Sequence, residues 1–333
     1  MKKMFAYGVV LLIVWIIAGS WGFLVHRTIS QLAIYELPNN PGSFFHQNMN
    51  YLVTHSVRAD LRRQDDSTED SKHYINFETF GDSAAWKMPL AFKEAVQLYS
   101  KDSLLKHGYM PYYVITMKNQ LTNAFRKKNR DSILFYAADL AHYIGDVHVP
   151  LHTTRNYDGQ LTNQKGLHSL WESVIPEIEL DKYDLASAHQ ARYLKNPEKS
   201  IWQAVRNAHN LTTNVLRLER ESSMRFTDSS KYRVQIRRGK EVRYYSTRFA
   251  KEYSKLLGKS INQQLVNSAD LIADFWYTSW VDAGKPDMKP LMKSTTADPQ
   301  NHALKKERKA FQENNLMKEK LLISRQNTTT NVP

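Results

Sequence analysis

Hydrophobic positions recur at helical spacing along most of the chain. Leu24 to Leu37 places Ile29, Leu32, Ala33 and Leu37 on one face and stops near Pro38 and Pro41, which predicts a first helix with His26 in its opening turn. A second is expected over Ser43 to His55. The charged stretch Asp60 to Asp70 breaks this rhythm and reads as a loop or frayed helix leading into Lys72-His73-Tyr74-Ile75-Asn76. Helical periodicity resumes over Ala91–Tyr99, Pro111–Lys127 and Asp131–Gly145, and again in long runs over Lys199–Glu221 and Thr247–Ala283. In the last of these, Leu265, Ala269, Ile272, Phe275, Trp276 and Trp280 form a core stripe. Tyr232–Ile236 and Val242–Tyr244 alternate around Arg238-Gly239-Lys240, which predicts one short basic β-hairpin. No internal repeat or parallel-sheet pattern interrupts this. The expected architecture is all-α, one mainly helical domain with a small hairpin near 232–245.

The two ends differ from the middle. Lys2 and Lys3, the apolar run Val9 to Ile17 and Ala18-Gly19-Ser20 have the order of an export signal with its cleavage site, so residues 1–20 are expected to be removed and the protein to be periplasmic or secreted. The apolar run is short for a span that needs about 20 residues. Beyond Lys285, Pro286, Pro290 and Pro299 mark an exit from the core. Residues 21–285 are thus expected to form the working domain, and 286–333 a tail that is a peripheral helix or disordered.

Composition narrows the chemistry. The chain of 333 residues is 42% hydrophobic and contains no cysteine, so a sizeable core is expected while disulfides and thiolate metal sites are excluded. Any metal must be held by His, Asp, Glu or backbone atoms. The formal charge of +13 favours anionic partners such as nucleic acid or an anionic lipid surface.

Candidate chemistry concentrates in Ala141-His142-Tyr143-Ile144-Gly145-Asp146-Val147-His148-Val149-Pro150-Leu151-His152 and in Leu167-His168-Ser169-Leu170-Trp171-Glu172. His142/Asp146 and His168/Glu172 are each four apart, which puts both members of a pair on one helix face. Pro150 forces a break, so His152 approaches from another direction. Upstream stand His26, Asp60 and His73. Five histidines and three carboxylates exceed what one zinc takes, since zinc uses about four ligands, so two or three ions are implied.

In these segments and their order, from Trp21 to about Ala283, the chain resembles the phospholipase C/P1 nuclease superfamily of trinuclear zinc phosphoesterases. The resemblance implies three Zn2+ ions. Trp21, freed by signal cleavage, would bind one through its α-amino group and carbonyl, helped by His26. Asp146 would bridge ions, Asp60, His73 and His142 would hold the second, and His152, His168 and Glu172 the third, with His152 also able to complete the first. It implies hydrolysis of P–O bonds by zinc-activated water, Asp60 orienting that water and Arg63 pairing with the phosphoryl charge. His148, in the family's HxPLH pattern, and Asp139, one turn before His142, would support ligands without binding metal, Asp139 by receiving an imidazole N–H. Tyr74 is the candidate base-stacking residue, Asn76 the base-edge contact, and Asn163 the remaining substrate contact, in a loop without the nuclease Gly-Gly-Asn.

Two branches of the superfamily remain open. The five-residue spacing from Trp21 to His26, Arg63 and the basic charge fit nucleases acting on single-stranded DNA or RNA and on 3′-nucleotides. Glu172, where nucleases carry aspartate, resembles the phospholipases C, whose substrate is phospholipid. A zinc-binding protein without catalysis is the third reading. No protein partner is evident in the sequence.

Overall fold

The computed structural model describes residues 22–237, 240–292 and 297–326. The expected export signal (1–20), the expected ligand Trp21, the hairpin turn at 238–239 and the end of the tail lie outside the described residues.

Helix α1 (Phe23–Glu36) runs through the centre of the molecule, followed by α2 (Asn39–Gln47), α3 (Met49–His55) and the short α4 (Arg58–Arg62). The single helix expected over 43–55 is thus two, with Asn48 between them at φ −107°. Helices α5 (Met110–Arg126) and α6 (Arg130–Val147) match their predicted spans closely, and Asn129 caps α6 by accepting from the Ser132 N–H. After a loop region come α7 (Pro197–Ser223), the hairpin strands β1 (Tyr232–Arg237) and β2 (Lys240–Tyr245), then α8 (Thr247–Leu257), α9 (Ser260–Asp282) and α10 (Ala297–Gln312). The long run read over 247–283 breaks at Gly258, whose φ of +57° an L side chain resists. The hairpin is antiparallel in the register Tyr232↔Tyr245 to Arg237↔Lys240.

Two apolar clusters fill the interior. The larger joins α1, α5, α6 and α9, with Phe45, Phe125 and Trp276 fully buried, and the Trp276 indole donating to the Ala137 carbonyl of α6 at 3.0 Å. The smaller joins Leu167, Leu170 and Trp171 to α7, α8 and Tyr245 of β2. Ile144 and Val147 belong to the first cluster, Val149 and Leu151 to the second. The chain therefore crosses from one core to the other at His148, just before Pro150, and the candidate ligands sit at that seam. Helix α6 is buried from Ala137 to Val147, the state expected of a helix without a polar face, so His142 and Asp146 are deep inside.

Helix α1 is also buried on its polar side, for a reason its own sequence does not contain. The C-terminal segment returns over it. Thr28 pairs with Ser324 (2.8 Å), Gln31 donates to the Leu321 carbonyl (2.8 Å), and Tyr35 donates to Glu307 of α10 (2.9 Å). Leu304, Phe311, Leu316 and Leu322 are buried in the same core. The described part of the tail is thus packed structure, continuous with the domain.

Candidate metal centre

Seven elements converge at the seam. His26 comes from the first turn of α1, Asp60 from α4, His73 from the end of a 3-10 turn (Asp70–Lys72), and His142 and Asp146 from α6. His152 follows in the 3-10 turn Pro150–Thr153, so the break expected at Pro150 is present. His168 lies in a single helical turn (Leu167–Ser169) that passes into a π-helical turn (Leu170–Val174) carrying Glu172. Such π turns widen a helix locally and recur at functional sites.

The donor atoms form three groups, each able to hold a metal ion: Asp60, His73 and His142; His152, His168 and Glu172; and His26, His142 and Asp146. In the first, His142 Nε2 is 3.1 Å from His73 Nδ1, and both lie 3.8 Å from Asp60 Oδ1. In the second, His168 Nε2 is 2.6 Å from Glu172 Oε2 and 2.9 Å from His152 Nε2. Tetrahedral zinc with bonds of about 2.0–2.1 Å places neighbouring ligand atoms about 3.3 Å apart, so these separations fit the ion. Asp146 faces two ways: Oδ2 approaches His73 (2.8 Å) and His142 (3.4 Å), while Oδ1 approaches His26 (3.5 Å) and His152 Nδ1 (3.7 Å). That disposition suits a carboxylate shared between ions. Glu172 reaches further still, with Oε1 3.6 Å from His26 Nε2. A Cβ on Gly22 would lie 3.7 Å from the same Oε1, so the chain enters α1 beside the site.

The protein fixes which nitrogen each ring presents. His142 Nδ1 donates to the Ser56 carbonyl and His152 Nδ1 to the His73 carbonyl, both at 2.8 Å, leaving each Nε2 free to ligate. His73 is turned the other way: Nδ1 points inward and Nε2 lies 3.4 Å from buried Glu69. Glu69 also receives Lys72 (2.7 Å), Arg62 (3.3 Å) and the Tyr143 hydroxyl. His26 stacks on His142 with centroids 4.0 Å apart. Gly145 makes room for it, since a Cβ there would come within 2.9 Å of His26 Nδ1.

In the metal-free protein these groups perturb one another strongly. Burial works against His73, but Asp146 and Glu69 outweigh it and raise its pKa to about 9. Burial and the neighbouring His26 charge lower His142 to about 4. Burial opposes ionisation of Asp146 and Glu172, yet the surrounding histidines hold both below the usual carboxylate range. Buried charge is so concentrated here that protons offset it where a cation is not bound.

Other expected residues fall as follows. Arg63 stands at the half-exposed edge, its Nε 2.6 Å from Asp70 and its Nη1 3.5 Å from Asp60. Tyr74 is half-buried, and burial, Asp70, Arg63 and Tyr157 all act on its hydroxyl. Asn76 is half-buried with its N–H on the His107 carbonyl (2.9 Å). Asn163 is exposed at φ +59°, a conformation asparagine tolerates, so a turn role accounts for it. Two supporting roles need correction. Asp139 does not take the His142 N–H; it binds Arg58 (2.6 Å) and Arg62 (2.8 Å), because Ser56 already fills the position beside His142. His148 bonds the Ile144 carbonyl (2.8 Å) and lines a cavity of about 600 Å³ against α9 with Gln264 and Asp270, away from the donor groups.

Three contributors were not singled out from sequence. Glu69 stands four residues before His73, the same spacing that drew attention to His142/Asp146, so a signal existed. Ser56 acts through its backbone and left none. Tyr157, 51% exposed with its ring 6.5 Å from that of His168, sits in a polar loop that gave no reason to choose it.

A family model described as S1/P1 Nuclease matches residues 21–275, a span that holds every donor above. The chain belongs to the S1/P1 nuclease family. Within it, Nuclease S1 of Aspergillus oryzae (strain ATCC 42149 / RIB 40) is 26% identical over 185 residues, which are 51% of this chain and 59% of that protein. Two solved structures also match at 14% identity, each over 81% of this chain and 66% of the other: alpha toxin from Clostridium absonum (TM-score 0.46) and Clostridium perfringens alpha-toxin from an avian strain (TM-score 0.45). The chain therefore spans less than two thirds of the length of each of these relatives.

Proposed function

We propose that this member of the S1/P1 nuclease family is an exported zinc-dependent phosphodiesterase that cleaves single-stranded nucleic acid and 3′-nucleotides. The observation that carries the reading is the set of three adjoining donor groups, two sharing His142 and the third reaching His26 through Glu172, with Arg63 at their edge. Asp60, His73, His142 and Asp146 would hold one ion; His152, His168 and Glu172 a second; His26 and Asp146, completed by Trp21, a third. Zinc held there supplies Lewis acidity, polarising a phosphoryl oxygen and acidifying water. The chain's own part is to orient and exclude. Asp60 is the most accessible of the three donor carboxylates and would accept a proton from water at the edge of the centre. Arg63 would pair its guanidinium with the phosphoryl group as negative charge grows. Tyr74 and Tyr157 offer aromatic faces for a base, which single strands present unstacked.

Glu172 keeps a second reading alive, a phospholipase C acting on phospholipid head groups. The discriminating experiment assays the mature zinc-loaded protein side by side on single-stranded DNA and on phosphatidylcholine, with and without chelator. Chelator-sensitive release of nucleotides supports the proposal. Diacylglycerol without nucleotides transfers the protein to the phospholipase branch, and inactivity on both substrates leaves a zinc-binding protein without catalysis. Export is tested separately, by sequencing the N-terminus of the secreted or periplasmic form. Trp21 is expected first, and one extra residue before it should lower zinc content.

A further inference from the structure

The loop from Thr154 to Gly166 runs past the metal centre beside His168, and its shape is fixed from within. Asn156 is buried, its Oδ1 accepting the Leu161 N–H (2.8 Å) and its Nδ2 donating to the Thr162 hydroxyl (3.0 Å). Gln160 donates to the Arg155 carbonyl (2.7 Å) and accepts the Asp158 N–H (2.9 Å). A loop closed on itself in this way is a compact unit, so its place depends on its ties to the rest of the chain. At its start, Glu78 accepts from the Thr154 hydroxyl and from the Arg155 N–H (3.1 Å). At its end, the buried Gln164 donates its side-chain amide to the Leu216 carbonyl (2.8 Å) and to Glu219 Oε2, both on α7. The Tyr245 hydroxyl lies 3.2 Å from the Gln164 carbonyl and 2.9 Å from Glu219 Oε1. Lys231 meets the charge of the fully buried Glu219 at that same Oε1 (2.8 Å), so the bond from Gln164 serves the loop rather than the charge. Within the loop, the Gln164 N–H donates to the Gly159 carbonyl (2.8 Å). A Cβ on Gly159, which sits at φ +71°, would lie 2.5 Å from the Gln164 carbonyl oxygen, so only glycine lets the two approach this far. Directly before Gly159 come Tyr157, with its half-exposed ring 6.5 Å from that of His168, and Asp158, whose Oδ1 accepts the His168 N–H at 3.4 Å.

We propose that Gln164 is a positioning residue of the substrate site. Latched onto Glu219, it seats the loop so that the Tyr157 ring stands beside His168 as a stacking face for substrate. The role rests on the nuclease reading for the substrate it names. A buried amide bonded to a buried carboxylate suits this task, because the bond has direction and leaving either group unpaired is costly. An apolar plug in the same place would let the loop slide.

The test compares variants of the zinc-loaded full mature chain by steady-state kinetics on a single-stranded oligonucleotide and by limited trypsin digestion. Gln164→Met keeps the volume and removes the amide. KM should rise about tenfold, within what a base–aromatic stack supplies, while kcat stays within about twofold, the mark of lost binding rather than lost chemistry. Cleavage after the exposed Arg155 and Lys165 should quicken, and zinc content should not change. Tyr245→Phe should act in the same direction. Ser223→Ala removes another partner of Glu219 (3.0 Å) that does not touch the loop, and should leave KM and both cleavage rates unaltered. Tyr157→Ala should raise KM as well, and adding Gln164→Met to it should raise KM no further. Fully additive effects overturn the proposal, as does Gln164→Met with unchanged KM and unchanged cleavage. Loss of zinc at unchanged KM would instead assign the latch to the metal centre. Should the wild type hydrolyse phosphatidylcholine alone, the nuclease reading fails, and the same KM split on that lipid decides whether the latch positions substrate.

Discussion

Replacing Gly145 by alanine probes how tightly the centre is assembled. Inside a helix this change ordinarily stabilises by about 0.5–1 kcal/mol, because alanine restricts the unfolded chain. Here the new Cβ would lie 2.8 Å from Ile29 Cδ1, 2.9 Å from His26 Nδ1 and 3.1 Å from His26 Cε1. Ile29 ends in a flexible methyl group and can give way. The His26 ring is less free, being buried and stacked on His142 at 4.0 Å. Restoring ordinary contact requires the ring to move by about 0.5 Å, more than the roughly 0.2 Å tolerance of a metal–ligand bond. Overpacking of a close-fitted interior costs about 1–3 kcal/mol, which outweighs the helical gain. Gly145→Ala should therefore lower the melting temperature of the metal-free protein by about 1–4 °C. It should also weaken zinc binding by about 10–100-fold, as loss of ligand support does elsewhere. Calorimetry after chelation and elemental analysis after dialysis measure the two effects. A variant that melts higher than the parent and keeps all its zinc would refute the packing argument.

Other substitutions separate ligand support from scaffold. Glu69→Gln leaves Lys72 and Arg62 without a buried anion and His73 without its partner, so it should cost about 3–5 kcal/mol in urea unfolding and reduce zinc affinity together. Asp139→Asn should destabilise comparably through Arg58 and Arg62 but leave zinc content unchanged; zinc loss there would restore the role first expected of Asp139. Glu36 tests the pH response. Its carboxyl is buried against Asp270, and burial followed by Asp270 and Asp274 raises its pKa well above the ordinary range, while His189 and Arg192 are bound to Asp274. The folded state thus keeps a proton that the unfolded chain releases near pH 4.3, so stability falls as pH rises from there toward the folded pKa. Glu36→Gln should match the parent near pH 4 and exceed it by about 1–3 kcal/mol at pH 8. An offset that does not change with pH would show that Glu36 does not titrate in this range.

Much of this arrangement was legible because local rules and the fold agree. Helix α6 could be read from its period, and the i,i+4 spacing of His142/Asp146 and His168/Glu172 survived folding, although a π turn carries the second pair. Pro150 announced the redirection of His152. What escaped depends on distant chain. The burial of Thr28, Gln31 and Tyr35 follows from residues near 307–324 returning over α1, which no window around α1 contains. The break at Gly258 was hidden because apolar periodicity continues across it, and only the positive φ reveals the glycine's purpose. Asp139 was misread for a related reason. Spacing on α6 placed it near His142, but the competing partners, Arg58, Arg62 and the Ser56 carbonyl, arrive from about 80 residues away.

Three adjoining donor groups, linked through His142 and Glu172 and completed by Trp21, are proposed to hold three ions. Elemental analysis of the mature protein beginning at Trp21, after exhaustive dialysis against metal-free buffer, tests it most directly. About three zinc ions per chain are expected, each group supplying a share of the four or so ligands zinc takes. One ion per chain, or none, would contradict it.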